Sequence, residues 1–301
     1  MLFAGSAFEN VNGMSIDLRK WKEIPAEELD ALERSLSRFY RQPPPSYYQI
    51  AEQSAHGYTP AERPFHCHLV SQIKPGMTVL EAGCGTAHLC PYIEARGGSY
   101  TGVDHSEALL AQNAKRFPGA RFFPVGTKLN EQFNLVASLY TLEHIVHPPA
   151  YLENLWQACR PGGLIGIICP EFIESPAPAP SVFYGHTPRR LRRKFQRFQL
   201  GDALGHLLDV KLRAPRWQAA ARAAAPGAFW INLRPRVLQG AEYEIDTDAV
   251  HMTRLKDLVW FLKEKGAEIV CTSADLPGVS AEILKYNCYV LARKPEAPAA
   301  K

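Results

Sequence analysis

Before residue 75, the hydrophobic and polar residues follow a helical period. Apolar side chains recur at spacings of three and four residues, which predicts an amphipathic helix. The apolar stripe of this helix consists of Leu29, Leu32, Leu36 and Phe39. Three consecutive prolines at 43–45 are expected to end the helix, because proline cannot continue one. A further helix is predicted from about residue 62 to residue 73, and we assign residues 1–74 to a helical N-terminal cap.

From residue 78, short apolar runs alternate with helical segments. The runs are continuously rich in valine, isoleucine and leucine, as in parallel strands that helices cover on both faces. Strands are predicted at 78–82, 99–103, 121–125, 134–139 and 164–169. Helices are predicted between them at 87–96, 106–117 and 148–160. This order of elements is typical of a doubly wound α/β core, which we place at residues 75–172.

The alternation stops after residue 172 and resumes near residue 252. Residues 173–250 are basic, alanine-rich and aromatic without a strand pattern, which indicates a large inserted cap. A helical stripe then precedes two strands predicted at 267–272 and 285–293, and residues 251–294 complete the core. A Pro-Gly turn at 277–278 lies between these two strands and would allow them to pair antiparallel.

The composition is that of an ordinary globular protein, with 301 residues, 46% hydrophobic and 21% charged. Its seven cysteines are scattered without a Cys-x-x-Cys pair, so we expect reduced thiols and no metal site. No signal peptide is visible, and no apolar stretch reaches the ~20 residues of a membrane helix. We therefore expect a cytoplasmic protein without a membrane span, ending in a disordered tail at 295–301. The sequence makes no prediction of the oligomeric state.

Charge is distributed unevenly along the chain. The net charge is +4, but residues 175–241 carry twelve lysines or arginines and two aspartates, a net charge of +10. Six of these basic residues fall within 189–197, interleaved with Phe195. Such a run can contact nucleic acid or a lipid surface, bind an anionic small molecule, or form the solvated face of a helix.

A glycine turn joins the first predicted strand of the core to the helix that follows. Gly83 and Gly85 permit backbone conformations closed to other residues and let a ligand approach the main chain. A Gly-x-Gly pair alone also occurs in phosphate-binding turns. The dinucleotide fingerprint requires a small residue five positions after Gly83, where this chain has His88, which argues against NAD or FAD.

An acid follows the glycines at the end of the next strand. Asp104 lies 19 residues after Gly85, close to the ~20 residues at which a carboxylate accepts hydrogen bonds from ribose hydroxyls. The alternative is that Asp104 caps the helix that begins nearby.

Four segments in order resemble the class I SAM-dependent methyltransferases, and the type 11 and type 23 groups in particular. Glu81, Gly83 and Gly85 match the first motif, with Ala87 in place of the usual third glycine. The other segments are Thr101–Ser106, Phe133–His144 and Arg160–Leu164. The resemblance covers roughly 60–172 and 252–293. It implies a mostly parallel seven-stranded sheet with an antiparallel last strand, S-adenosylmethionine (SAM) as the cofactor, and methyl transfer as the activity.

The same resemblance implies a set of cofactor-binding residues. Asp104 would hold the ribose, and Glu81 would lie near the positively charged end of the methionine portion, although a buried acid paired to a cation is the alternative. The acid that commonly contacts adenine is missing, and Gly126 or Thr127 would contact the base instead. The complete set is Glu81, Gly83, Cys84, Gly85, Asp104, His105, Gly126, Thr127, Leu139 and Tyr140.

Two histidines in the loop after the fourth strand are the candidates for catalysis. His144 and His147 are expected at the carboxyl edge of the sheet, where open α/β folds bind their ligands. An imidazole with an ordinary pKa near ~6.5 suits the removal of a proton from an acceptor hydroxyl. A structural role for His144 is the alternative.

We therefore predict a SAM-dependent methyltransferase that methylates a hydroxyl of a small molecule, with the insertion covering the acceptor site. The basic segment would suit an anionic acceptor. It also motivates a second hypothesis, methylation of RNA or another polyanion. The missing adenine acid motivates a third, a SAM-binding protein without catalytic activity.

Overall fold

The structure is a computed structural model. It describes residues 17–53, 59, 61–179, 182, 192, 195, 196, 198, 200–241 and 243–297, with the side chains of 51–53, 202 and 206 excepted. Most of the basic run at 189–197 and the end of the predicted tail lie outside the described residues. Among those described, no helix is both long enough and apolar enough to cross a membrane.

Three helices precede the core: α1 (Ala26–Arg41), α2 (Pro45–Gln53) and α3 (Pro64–Ser71). The predicted stripe of α1 is turned inward, since Leu29, Leu32 and Leu36 are all buried. Helix α1 ends before the prolines, as predicted, and the second and third helices begin at prolines, whose fixed φ suits a first turn.

A seven-stranded sheet forms the centre of the fold, in the order β4-β3-β2-β5-β6-β10-β9. Strand β10 pairs antiparallel with both of its neighbours, and the other described pairs in this sheet are parallel. The predicted fold class, including the antiparallel last strand, is therefore confirmed. The strands are β2 (Thr78–Ala82), β3 (Ser99–Asp104), β4 (Arg121–Pro124), β5 (Phe133–Leu139), β6 (Cys159–Pro170), β9 (Glu268–Thr272) and β10 (Asn287–Arg293).

The crossover helices cover the sheet: α4 (Cys90–Glu94), α5 (Glu107–Arg116) and α6 (Pro148–Ala158). The expected cap of α5 is present, because Ser106 Oγ accepts the N–H of Leu109 at 3.3 Å. The helix predicted at 87–96 was wrong at its start. Ala87 adopts a φ of 55°, outside the right-handed helical region, so the glycine turn occupies what would be the first turns of the helix.

A second, antiparallel sheet joins the N-terminal segment to the insertion, in the order β1 (Leu18–Lys20), β7 (Trp230–Asn232) and β8 (His251–Met252). Strands of two or three residues are too short to show a period, which is why the sequence did not predict them.

Four further helices complete the described chain. The insertion contributes α7 (Leu200–Leu208) and α8 (Ala214–Ala223), joined by one π-helical turn at Asp209–Arg213. Helix α9 (Leu255–Glu264) lies where the stripe near residue 255 predicted it, and α10 (Ala281–Tyr286) precedes β10. All seven cysteines are free thiols, as expected.

Candidate functional site

A cavity of 1260 Å³ opens at the carboxyl ends of β2, β3 and β5. The order of the sheet reverses between β2 and β5, and open α/β sheets bind ligands at such a switch point. Every site residue expected from the sequence lines this one cavity: Glu81, Gly83, Cys84, Gly85, Asp104, His105, Gly126, Thr127, Leu139, Tyr140, His144 and His147.

The glycine turn forms the floor of the cavity. Gly83 and Gly85 have φ values of 76° and 49°, in the region that glycine adopts without strain. A Cβ on Gly85 would meet no atom within 4 Å, so the main chain there faces open space. Ala87 has a φ of 55° as well, which explains why a glycine usually stands at this third position.

Asp104 is held by two main-chain hydrogen bonds. Its Oδ2 accepts the N–H of Gly85, and its Oδ1 accepts the N–H of Ser106, both at 2.8 Å. The carboxylate therefore joins the glycine turn to the start of α5. The cap of α5 is provided by Ser106, so the alternative function as a helix cap does not account for Asp104.

Glu81 is 4% exposed and accepts a hydrogen bond from the hydroxyl of Tyr100. Its described partner is thus a hydroxyl and not the cation of the structural alternative. Burial raises the pKa of Glu81 to about 8, and the nearby Asp104 adds to the rise. The carboxyl is therefore largely protonated at neutral pH until a positive charge approaches it.

Arg63 is a lining residue that the sequence analysis missed. Among the described residues around the cavity it is the one lysine or arginine. It stands at the N-cap of α3, one turn before His66, which stacks on the ring of Tyr140 at 5.8 Å between centroids. Burial lowers the pKa of His66 to about 3, so this imidazole is neutral at physiological pH. The sequence could have identified Arg63 as an isolated positive charge at the start of the helix that precedes the glycine motif.

The far end of the cavity lies beyond β4. Gly126 has a φ of 89°, and a Cβ there would meet no atom within 4 Å. The N–H of Thr127 donates to Pro124 O at 3.2 Å and closes a tight turn, as the short link from 126 to 132 requires. Asn134, which replaces an acid of the family motif, accepts the Thr78 N–H at 2.8 Å and joins β2 to β5.

His144 lies at the opposite end, on the turn after β5. Its Nδ1 is 3.5 Å from Asp248 Oδ2, and its Nε2 is 3.8 Å from Glu143 Oε1. Burial raises the pKa of Glu143 well above its ordinary value, because the ionised carboxylate loses its hydration there. Asp248 comes from the insertion, and the sequence analysis did not single it out.

His147 also lines the cavity, but its ring is close to two acids of α1. Its Nε2 lies 3.6 Å from Glu33 Oε2 and 4.0 Å from Asp30 Oδ1, and its ring meets Trp21 edge-on. Asp30, Glu33 and His147 offer possible metal-ligand atoms that lie within 4.8 Å of one another, but both acids are exposed. Exposed acidic groups are common without an ion, and we assign no metal here.

Aromatic side chains enclose the His144 end. The ring centroids of Tyr40 and Tyr47 are 6.1 Å apart, and those of Tyr47 and Tyr243 are 5.2 Å apart. Burial raises the pKa of all three hydroxyls, so they are neutral donors at physiological pH. The described lining of the whole cavity is rich in acids: Glu33, Glu81, Asp104, Glu131, Glu143 and Asp246.

Two curated relatives match part of the chain. A trans-aconitate 2-methyltransferase of Deinococcus radiodurans is 32% identical over 101 residues, which is 32% of this chain and 39% of that protein. A ubiquinone biosynthesis O-methyltransferase of Pseudomonas putida is 30% identical over 99 residues, 30% of this chain and 43% of that protein. The matched part thus spans about two fifths of each relative.

A similar fold is found in the 1,6-didemethyltoxoflavin-N1-methyltransferase of Burkholderia thailandensis. The two chains align with a TM-score of 0.50 at 17% identity, over 91% of this chain and 92% of that one. The likeness concerns the fold. A family profile described as a methyltransferase domain matches residues 63–272, more than half of the chain. The chain therefore belongs to the methyltransferase-domain family, the class I enzymes that use SAM as their cofactor.

Proposed function

We propose that this protein transfers the methyl group of SAM to a hydroxyl of a small molecule. The observation that carries the proposal is the arrangement of one cavity, with a carboxylate and a glycine turn at its floor and an imidazole at the aromatic end. A bound SAM supplies an electrophilic methyl carbon attached to a sulfonium.

The polar residues of the cavity suit the parts of SAM. Asp104 retains lone pairs for the ribose hydroxyls, and the open main chain at Gly85 leaves room for the ligand. Arg63 would pair with the methionine carboxylate, and Glu81 with its ammonium group. Gly126 and Thr127 would contact adenine through the main chain and a hydroxyl.

His144 would remove the proton from the acceptor hydroxyl as the oxygen attacks the methyl group. Helix α1 and the insertion contribute Tyr40 and Tyr243 to the walls of this end, and such walls exclude water and align the acceptor. His147 faces acids of α1, so we propose for it a structural function.

The charge of the cavity supports an uncharged acceptor over an anionic one. Its described lining carries six acids and one arginine. Burial disfavours the ionised forms of Glu81 and Glu143, but the other four acids still outnumber the arginine and would repel an anion in a region of low dielectric. We therefore propose an uncharged hydroxyl compound that packs on Tyr47 and Tyr243.

Two experiments in order test this function. Calorimetric titration should show that SAM and S-adenosylhomocysteine bind below millimolar concentration, and that NADH does not. Cell extract incubated with methyl-labelled SAM should then yield a labelled small molecule with the wild type but not with His144→Gln. If SAM binds and no label is transferred, the protein is a SAM-binding protein without this activity. Label found in RNA would redirect the proposal to a polyanion.

A further inference from the structure

Asp248 lies behind His144 and does not line the cavity. Its side chain is completely buried, and its Oδ2 is 3.5 Å from His144 Nδ1. The side chain of His144 is 22% exposed and lines the cavity. A buried acid on the far side of a ring that faces a ligand cavity is placed to act through that ring.

Two other segments hold this pair in place. The hydroxyl of Tyr40 donates to Asp248 Oδ2 at 2.7 Å, across 208 residues of sequence. The N–H of Val250 donates to Glu143 O at 2.8 Å, and His251 Nδ1 lies 3.2 Å from Leu142 O. The end of the insertion is therefore clamped onto the turn that carries His144.

His144 and Asp248 each have hydrogen-bonding capacity that their described neighbours do not use. Within the described part of the chain, His144 Nδ1 and Asp248 Oδ1 are buried without a hydrogen-bond partner. Buried polar atoms are nearly always paired. Hydrogen bonds of a catalytic site are often long in the ligand-free form and shorten when the substrate binds.

We propose that Asp248 is the positioning residue for His144: its carboxylate accepts the Nδ1–H and leaves the lone pair of Nε2 for the acceptor. The inference rests on the proposed function and names the residue that prepares its base. Asp248 touches neither the acceptor nor the cofactor, so it acts through the imidazole.

In the proposed methyl transfer, each bond that forms is matched by one that breaks. The acceptor O–H bond breaks, its proton goes to Nε2, and its electron pair forms the new bond from oxygen to the methyl carbon. The bond from carbon to sulfur breaks, and its electron pair stays on the sulfur. The imidazolium, stabilised by Asp248, later releases its proton to water.

The other titratable groups near His144 do not replace Asp248. Glu143 lies farther from the ring, at 3.8 Å, and burial raises its pKa well above the ordinary value, which disfavours the carboxylate form. Among the described residues, the other titratable groups around this end include Asp246, which raises the pKa of Glu143, the buried His251, and the buried phenols of Tyr40, Tyr47 and Tyr243. Of Glu143 and Asp248, Asp248 has the carboxylate oxygen closer to a ring nitrogen of His144.

The tautomer of His144 tests the proposal in the full-length, cofactor-free protein. Its ring nitrogens are assigned in ¹⁵N NMR spectra by comparison with His144→Gln and measured near pH 8, where an ordinary imidazole is neutral. The Nδ1–H tautomer should predominate in the wild type. Predominance of the Nε2–H tautomer would overturn the proposal, whatever any variant does.

Asp248→Asn should shift the tautomer ratio at least tenfold toward Nε2–H, because the amide can donate to Nδ1. Asp246→Asn removes the same charge nearby and should leave the ratio unchanged. An unchanged ratio in folded Asp248→Asn would also overturn the proposal. Titration of the wild type and of both variants with S-adenosylhomocysteine separates the outcomes, since a failure of the wild type to bind refutes the proposed function and leaves the tautomer result standing.

Discussion

The main-chain N–H of Gly85 donates a 2.8 Å hydrogen bond to Oδ2 of Asp104. The bond connects the glycine turn directly to the end of the neighbouring strand. Because the N–H of Ser106 holds the other carboxylate oxygen at the same distance, the acid is fixed before any ligand arrives. A preorganised acceptor loses little conformational freedom on binding.

We expect Asp104→Ala to weaken SAM binding about 10- to 100-fold, since hydrogen bonds to a charged group contribute roughly 1.5–3 kcal/mol. Calorimetric titration measures the loss, and circular dichroism checks that the variant is folded. Glu107→Gln, which removes an exposed acid three residues later, is the matched control and should bind normally. Equal affinity of Asp104→Ala and wild type would contradict the assignment.

Arg63→Gln should weaken SAM through the lost pairing with its carboxylate. A ligand that lacks the amino-acid portion, 5′-methylthioadenosine, should bind the variant and the wild type with equal affinity. A competition titration with SAM and 5′-methylthioadenosine gives the affinities of both ligands in one experiment. A loss that is the same for both ligands would show that Arg63 only supports the fold of α3.

Glu81 should make SAM binding release protons. The pKa of this carboxyl is raised to about 8 by burial, so it is protonated at pH 7, and a nearby ammonium group favours its ionised form. Calorimetry at pH 7 in buffers of different ionisation enthalpy should detect the release of up to about one proton for each SAM bound. Glu81→Gln should show less release, and no difference between the two proteins would refute this coupling.

The raised pKa of Glu81 also predicts that the stability of the protein depends on pH. The folded-state pKa of Glu81 is raised above its ordinary value of 4.5, so the folded state binds the extra proton between about pH 4.5 and pH 8. The contribution of Glu81 to the free energy of unfolding therefore falls as the pH rises, by at most ~1.4 kcal/mol for each pH unit. Urea denaturation should show Glu81→Gln gaining stability relative to wild type from pH 5 to pH 8. A constant difference would contradict the shift.

Gly83→Ala should destabilise the protein more than Gly85→Ala. Both residues have positive φ, but a Cβ on Gly83 would collide with the side chain of Thr141, whereas one on Gly85 meets nothing within 4 Å. The left-handed backbone alone costs an alanine about 1–2 kcal/mol, and overpacking adds roughly 1–3 kcal/mol. Urea denaturation compares the two variants. Equal losses would mean that Thr141 moves aside without penalty.

His144→Gln should lower the rate of methyl transfer about 10²- to 10⁴-fold, as expected for the loss of a general base, and leave SAM affinity unchanged. His147→Gln should keep nearly all of the activity, because that ring faces Glu33 and Asp30 on α1. Transfer of label from SAM measures both rates. A large loss in His147→Gln alone would reverse the two assignments.

The seven-stranded sheet could be predicted because its strands are buried on both faces, and continuous apolar runs are visible without knowledge of their partners. The predicted cofactor-binding motif was equally local, since one helix and one strand separate its two glycines from the acid 19 residues later. The error at 87–96 also has a local cause, the left-handed backbone of Ala87, which a residue with a Cβ rarely adopts.

The sequence alone thus determined the fold class and the family, and the cofactor-binding residues that it predicts all line one cavity. Only the tertiary structure brought Tyr40 to Asp248, 208 residues away, and set both beside His144. It also revealed the small sheet that joins residues 18–20 to the insertion. Contacts between distant segments depend on how whole elements pack, and a single acid or a three-residue strand shows no period from which its partner could be read.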